Sequence, residues 1–324
     1  MSGFLILTNS QVAEINYYEM ERTTALTKTR LAPTPSGFLH LGNIFSFVIT
    51  AELARRTGAK ILLRIDDFDM ERTRKQYVQD IFDTLNFLEI PWDEGPRNLR
   101  EYETEFSIAH RMENYEAALR KLKETGNVFA CTCSRAMVHA DPANYGYQGT
   151  CRNKNIALDA DNTCWRLLTA DNTGLEVRTL WGPVASARMP PDMKDFIVRK
   201  KDRLPAYQLI SVIDDVNYGV DLVVRGEDLR SSTLAQQYLA MRLGAPTFKE
   251  IVFYHHPLIM GEDGKKLAKS EGATSVYHLR QEGKTAADIY SRIAQSIKPG
   301  NVAGSWQELA LLMDFPPKSE MQRG

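Results

Sequence analysis

Two stretches far apart in the chain hold the residue types that handle phosphate. The first runs Arg30-Leu-Ala-Pro-Thr-Pro-Ser-Gly-Phe-Leu-His40-Leu-Gly-Asn43. Pro33, Pro35 and Gly37 shape a rigid turn, Thr34 and Ser36 are suitable caps, and an apolar run with helical spacing begins at Ile44. A helix starting there aims its free N–H groups and positive dipole end at whatever sits on the turn. His40 and Asn43 add side-chain donors at the same spot. The second stretch, Gly261-Glu-Asp-Gly-Lys-Lys266-Leu-Ala-Lys269-Ser270, is a glycine-flanked basic loop. Its lysines suit a polyphosphate whose charge rises in a transition state. Without those roles, the first stretch is a proline-rich turn before an ordinary helix, and the second is a solvated basic turn.

Other residues suit a small zwitterion. Asp66-Asp-Phe-Asp69 is a carboxylate cluster able to hold a cation, with Arg64 or Arg72 fixing it; otherwise it is an acidic loop and helix cap. Arg225 ends an apolar run, where a guanidinium can grip a carboxylate with two parallel hydrogen bonds. The competing reading pairs it with Glu227 or Asp228. Tyr207 and Gln208 stand at the start of an apolar stretch, facing a pocket. His255 and His256 are adjacent on a strand and face opposite ways, so they are expected to be packed or hydrogen-bonded singly. Cys131, Cys133 and Cys151 have the spacing of a structural zinc knuckle, which needs a fourth ligand. Tyr147, His139 and Asp141 are candidates, and three buried free thiols are the alternative. Cys164, beside Trp165, reads as core.

The elements that must position these groups alternate. Thr29 to Ala32 reads as a strand, Ile44 to Thr57 as a helix closed by Gly58, and Lys60 to Ile65 as a buried parallel strand. That unit predicts a right-handed crossover and a doubly wound sheet whose ligands bind at the carboxyl ends of the strands. Helices are expected over Tyr77 to Leu88 and Ser107 to Thr125. An antiparallel excursion includes Cys164 to Leu168 and Asp195 to Arg199. A second strand–turn–helix unit runs from Asp221 through Ser232 to Leu243, then a strand from Ile251 and helices Thr285 to Ser296 and Ser305 to Met313. The fold class is α/β, with segments 28–125 and 196–260 as two halves of a catalytic domain. Segment 126–195 is an inserted knuckle subdomain, 1–27 an extension, and 261–324 the lysine loop with a short helical region.

A net charge of −1 means that a nucleic-acid partner would need a local basic face rather than a basic chain. No apolar run approaches the roughly 20 residues of a membrane helix. Four cysteines, three of them clustered, do not make a secreted disulfide framework, so a cytoplasmic chain without membrane partners is expected.

Together these motifs resemble the class I aminoacyl-tRNA synthetases of the glutamyl type. His40-Leu-Gly-Asn43 is similar to the first signature of that family and Lys266-Leu-Ala-Lys269-Ser270 to the second. Arg64-Ile-Asp-Asp-Phe-Asp69 and Asp221-Leu-Val-Val-Arg225-Gly-Glu-Asp228 match in order between them. The chain ends about fifty residues after the lysine loop, where full-length members continue into an anticodon-binding region. That resembles the truncated glutamyl-Q tRNA(Asp) synthetases. The resemblance implies activation of L-glutamate by ATP and Mg²⁺ without tRNA, then transfer to queuosine in the anticodon of tRNA(Asp), by a monomer. It implies a glutamate site of Arg30, Leu31, Ala32, Pro33, Thr34, Asp66, Tyr207 and Arg225. His40, Asn43, Lys266 and Lys269 are then the ATP-binding groups, with His40, Asn43 and Lys269 catalytic. Zn²⁺ is implied on Cys131, Cys133, Tyr147 and Cys151. Two positions depart from the pattern: Asp66 stands where Glu is common, shortening the reach to the substrate amine, and Ala268 stands where Ser is usual.

Overall fold

The computed structural model describes residues 25–138, 146–259 and 275–316. Strand β1 (Lys28–Leu31) and strand β2 (Lys60–Leu63) pair in parallel, Lys28 opposite Lys60. Helix α1 (Leu41–Thr57) crosses between them and is apolar on nearly every side, as a helix enclosed on all faces must be. Sheet covers one side of it, and α7 (Ala286–Ile297) and α8 (Trp306–Leu311) cover another. Leu53 has no exposed surface, so truncation to alanine there would cost about 2–5 kcal/mol. The one acid buried in α1, Glu52, is held by Arg55 at 2.8 Å and Arg56 at 2.7 Å. Gly58 ends the helix in the left-handed conformation at φ 80°, as its C′ position required.

Helix α2 (Lys75–Phe87) packs its Val78, Ile81, Phe82 and Leu85 face inward. The single helix expected over Ser107 to Thr125 is instead two pieces, a 3-10 turn at Ile108–Arg111 and α3 (Met112–Glu124), preceded by a π turn at Tyr102–Phe106. The break lies where the Ile108 N–H turns away to the Asp67 carboxylate, at 3.1 and 3.2 Å.

Strands β3 (Val128–Cys131), β4 (Cys164–Leu167) and β7 (Ile197–Arg199) form an antiparallel sheet in the order β3-β4-β7. A second sheet has the order β6-β5-β9-β8, from β5 (Leu175–Thr179), β6 (Ala185–Ala187), β8 (Leu222–Gly226) and β9 (Val252–His256). Within it β5, β9 and β8 are parallel. Helix α4 (Tyr207–Asn217) leads into β8, and α5 (Arg230–Leu243) connects β8 to β9.

Strands β1 and β8 join the two halves. The Asp221 N–H donates to the Lys28 carbonyl at 3.0 Å, and the Asp221 carboxylate takes the N–H groups of Thr27 and Lys28 at 2.8 and 2.9 Å. These bonds set β8, the edge strand of the four-stranded sheet, beside β1 of the two-stranded one, and from that seam the chain crosses outward from β1 to β2 on one side and from β8 to β9 on the other. Such a switch point opens a crevice at the strand carboxyl ends, where the turn after β1 and Arg225 in β8 meet.

Candidate active site

The crevice is a cavity of about 540 Å³. Its wall contains Arg30, Leu31, Ala32, Pro33, Thr34, His40, Asn43, Asp66, Tyr207 and Arg225, so all the described residues expected at the amino-acid and phosphate sites meet there. Lys266 and Lys269 lie outside the described residues, as do the alternative knuckle ligands His139 and Asp141. The described residues bracketing the lysine segment both stand at the crevice: Ile259 lines it, and Ser275 forms an antiparallel bridge with His40.

At the end of the crevice expected to hold phosphate, α1 begins at Leu41, three residues before the expected start, and its cap is neither Thr34 nor Ser36. His40 takes that place in a reciprocal box: Nδ1 accepts the Asn43 N–H at 3.2 Å, and Asn43 Oδ1 accepts the His40 N–H at 3.0 Å. An accepting Nδ1 puts the proton of the neutral ring on Nε2, making that nitrogen a donor. Gly42 makes room for the ring, because a Cβ there would lie 3.1 Å from Nδ1.

Helix α6 (Val276–Gln281) buttresses this turn. The Val276 N–H donates to the Leu39 carbonyl at 2.8 Å, and Phe38 stacks on Tyr277 with centroids 4.0 Å apart. Arg280 donates to Asp80 at 3.2 Å, and the Leu39 N–H points at the same carboxylate at 3.5 Å.

The inner end is a buried ion network. Arg64 donates to both Asp66 oxygens, at 2.7 and 3.0 Å, and to Asp215 at 2.6 Å. Arg30 reaches Asp215 at 3.3 Å and the Val224 carbonyl at 3.1 Å. The carboxylates of 66–69 do not act as one cluster. Asp67 turns to Tyr102 at 2.7 Å, and Asp69 is engaged by Arg72 at 2.6 Å, leaving Asp66 alone in the crevice. Arg64, rather than Arg72, fixes it.

Arg225 stands apart. It is 5% exposed, and its hydrogen bonds go to neutral groups, Gln236 Oε1 at 3.0 Å and Thr233 Oγ1 at 2.5 Å. Among the described residues it makes no ion pair, with Glu227 and Asp228 or any other acid. Burial pulls its pKa below the ordinary guanidinium value, with the Arg30 charge acting in the same direction and Tyr207 and the more distant Asp215 only partly opposing it. Thr233 is also bonded to His255 Nε2 at 2.7 Å. Burial, then the Arg225 charge, pushes His255 down to about 3, so that ring is neutral. His256 bonds the Pro257 carbonyl at 2.9 Å and packs edge-on to Phe45, so the two histidines act singly.

Sequence reasoning assigned no role to Asp215, Thr233 or Gln236. A signal existed for Asp215: adjacent acids in the mostly apolar run Leu209 to Val216 imply buried partners. Nothing local marks Thr233 or Gln236, which reach Arg225 from another element.

The cysteine cluster lies at the edge of the β3-β4-β7 sheet. The sulfurs of Cys131, Cys133 and Cys151 lie within 4.8 Å of one another, all buried, and Cys133 and Cys151 are 3.7 Å apart. A tetrahedral zinc with bonds near 2.3 Å places its sulfurs about 3.8 Å apart, so the thiols fit that ion. Burial alone would raise Cys151, but hydrogen bonds from the Thr132 N–H and neighbouring thiols bring it down to about 7. Burial and adjoining thiols push Cys133 up to about 11. The Tyr147 hydroxyl accepts the Cys151 N–H at 2.6 Å and interacts with the Cys131 thiol. Cys164 is turned away, donating to the Cys131 carbonyl at 3.4 Å.

Comparison with known proteins gives consistent likenesses. Residues 27–295 match the family described as tRNA synthetases class I (E and Q), catalytic domain. The chain is 34% identical over 282 residues to the glutamyl-Q tRNA(Asp) synthetase of Rhodobacter capsulatus, covering 81% of this chain and 97% of that relative. It is 33% identical over 266 residues to the glutamate–tRNA ligase of Desulfosudis oleivorans, covering 79% of this chain and 53% of the relative. The glutamate tRNA ligase of Elizabethkingia meningosepticum, solved with its amino acid, superposes with a TM-score of 0.66 at 18% identity, over 92% of this chain and 65% of that one. That last likeness bears on the fold alone. No described helix is long and apolar enough to cross a membrane.

Proposed function

The chain belongs to the class I (E and Q) tRNA synthetases and, within them, to the glutamyl-Q tRNA(Asp) synthetases; from that premise we propose that it activates L-glutamate with ATP, without tRNA, and transfers the glutamyl group to queuosine in the anticodon of tRNA(Asp). The observation that carries this reading is Arg225, a buried cation with only neutral partners, in the same cavity as the N-terminus of α1. Such a cation is costly until an anion arrives. The glutamate side-chain carboxylate is that anion. Tyr207 would flank it, the turn from Arg30 to Thr34 would line the amino acid, and the free lone pairs of Asp66 would receive its ammonium. Asp66 is one methylene shorter than Glu and already held by Arg64, so a water would bridge the gap.

In the first step an oxygen of the glutamate α-carboxylate attacks the α-phosphorus of ATP, which enters as its magnesium complex. The bond from that phosphorus to the bridging oxygen breaks, and pyrophosphate leaves with the electron pair. The nucleophile is already ionised, so no general base is needed. Catalysis is positioning and charge stabilisation. The His40 Nε2–H and the first N–H groups of α1 would take phosphate oxygens, with Asn43 holding His40 in place and offering its own amide N–H. Lys266 and Lys269 would meet the charge accumulating on pyrophosphate. In the second step a hydroxyl of the queuosine cyclopentenediol attacks the acyl carbon, AMP departs, and the hydroxyl proton passes to solvent.

Zinc, held by Cys131, Cys133, Tyr147 and Cys151, would supply structural cross-linking only. It would tie the end of β3 to the loop at Tyr147–Cys151 and stiffen an inserted subdomain beside the crevice. The kinship with a glutamate–tRNA ligase makes the tRNA 3′ end the competing acceptor. Glutamate-dependent ATP–pyrophosphate exchange without tRNA tests the first step. Glutamate incorporation into tRNA(Asp) with and without queuosine tests the second, and equal incorporation would refute the queuosine assignment.

A further inference from the structure

The neutral groups around Arg225 form a continuous relay. Arginine has no acceptor, so the atom of Gln236 facing it at 3.0 Å must be Oε1. The amide nitrogen of Gln236 is thereby turned to Gln208 Oε1, at 2.9 Å. The amide nitrogen of Gln208 then reaches Ser232 Oγ at 3.0 Å. All three relay residues are buried: Gln236 has no exposed surface, Gln208 is 8% exposed and Ser232 5%. Two carboxamides in a row stand where a carboxylate would give the guanidinium its usual ion pair. The neighbouring acids, Asp66 and Asp215, are already taken by Arg64 and Arg30.

We infer that the Gln236–Gln208 relay is a specificity device: it orients Arg225 while withholding negative charge, so that only a substrate with an anionic side chain completes the site and its carboxamide analogue is rejected. Gln236 is a positioning residue acting through Arg225. The inference rests on the reading of this cavity as the glutamate site. A site that binds its substrate by satisfying a buried charge discriminates strongly against an isostere lacking that charge. Supplying the charge from inside the protein removes the basis of the choice.

The relay can accept such a change at the loss of one weak contact, from the Gln208 amide nitrogen to the Met193 sulfur at 3.7 Å. A carboxylate at 236 still accepts from Arg225. Gln208 flips to donate to its other oxygen, and Ser232 then donates to Gln208 Oε1.

The test is ATP–pyrophosphate exchange with glutamate and with glutamine, on the full chain and three variants. For Gln236→Glu we expect the glutamate-over-glutamine ratio of kcat/KM to collapse by about 100-fold, mainly through the KM for glutamate. Gln236→Leu, which removes the acceptor and adds no charge, should lower kcat/KM for glutamate but keep the ratio within about threefold of the parent. Should Gln236→Glu fail to fold, Gln208→Glu decides, with the ratio moving in the same direction at smaller amplitude. An unchanged ratio in a folded Gln→Glu variant overturns the relay, as does an equal collapse in Gln236→Leu. Absence of glutamate-dependent exchange in the parent chain overturns the underlying reading instead.

Discussion

Arg64 meets Asp66 with two parallel hydrogen bonds, at 2.7 and 3.0 Å, although the two residues are separated by only one position on the chain. The pair leaves the outward lone pairs of Asp66 free for a ligand ammonium while neutralising a carboxylate that is 4% exposed. Asp66→Asn should therefore do two things. Removing one member of a buried pair costs about 3 kcal/mol, read as a fall of several degrees in the melting temperature. The KM for glutamate should also rise, with a smaller change in the KM for ATP, in exchange kinetics.

Arg225→Met should separate function from stability in the opposite way. The KM for glutamate should rise about 100-fold, equivalent to ~2.7 kcal/mol. The melting temperature should hold or increase, because a buried cation without a carboxylate partner has been replaced by an apolar chain. A large loss of stability on thermal denaturation would show that the native protein already compensates this charge.

His40 caps α1, and on the proposed reading it also donates Nε2–H to a phosphate. His40→Ala should cost about 1 kcal/mol through the lost cap and on the order of 100-fold in kcat through the lost Nε2 donor. His40→Asn, whose amide oxygen can accept the Asn43 N–H, should recover the stability but not the rate. Denaturant melts and single-turnover adenylate formation distinguish the two.

Acid sensitivity should trace to His255. Its ordinary value of 6.5 is pushed down to about 3 by burial, then by Arg225. Between those values the unfolded chain takes up a proton that the folded chain refuses. Stability contributed by the neutral ring is complete above pH 6.5 and is lost progressively as pH falls towards 3. His255→Gln should flatten the dependence of denaturation midpoint on pH across that window, while leaving the midpoint near neutral pH within about 1 kcal/mol of the parent.

The cysteine cluster makes a prediction with an internal control. Elemental analysis of the purified chain should find one zinc per molecule, and Cys133→Ser or Cys151→Ser should abolish it. Cys164→Ser should leave the zinc content unchanged, since that thiol points at the Cys131 carbonyl rather than at the other sulfurs. Equal loss in all three variants would place the metal elsewhere.

Much of the crevice was legible in the chain because its pieces are local. The turn from Arg30 to Asn43 and the strand carrying Arg225 declare their chemistry within short continuous stretches, and the strand–helix–strand pattern around each implies which end faces a ligand. The cysteine spacing was similarly readable. Boundaries were less so. Helix α1 starts at Leu41 because His40 caps itself against Asn43, a side-chain choice that hydrophobic periodicity does not register. The acidic run at 66–69 reads as one cluster and is three separate contacts, because Arg64, Tyr102 and Arg72 each take one carboxylate from a different direction.

By itself the sequence determined the alternation of strands and helices, the proline-rich turn before α1 and the clustered thiols, because these depend on residue type and short-range spacing. The tertiary structure alone decided that Arg30 and Arg64 share Asp215, that Asp66 is spoken for, and that Arg225 is left among amides and a hydroxyl. Those outcomes turn on which charges are brought within about 4 Å across the β1–β8 seam, where low polarity makes each pairing or its absence worth several kcal/mol.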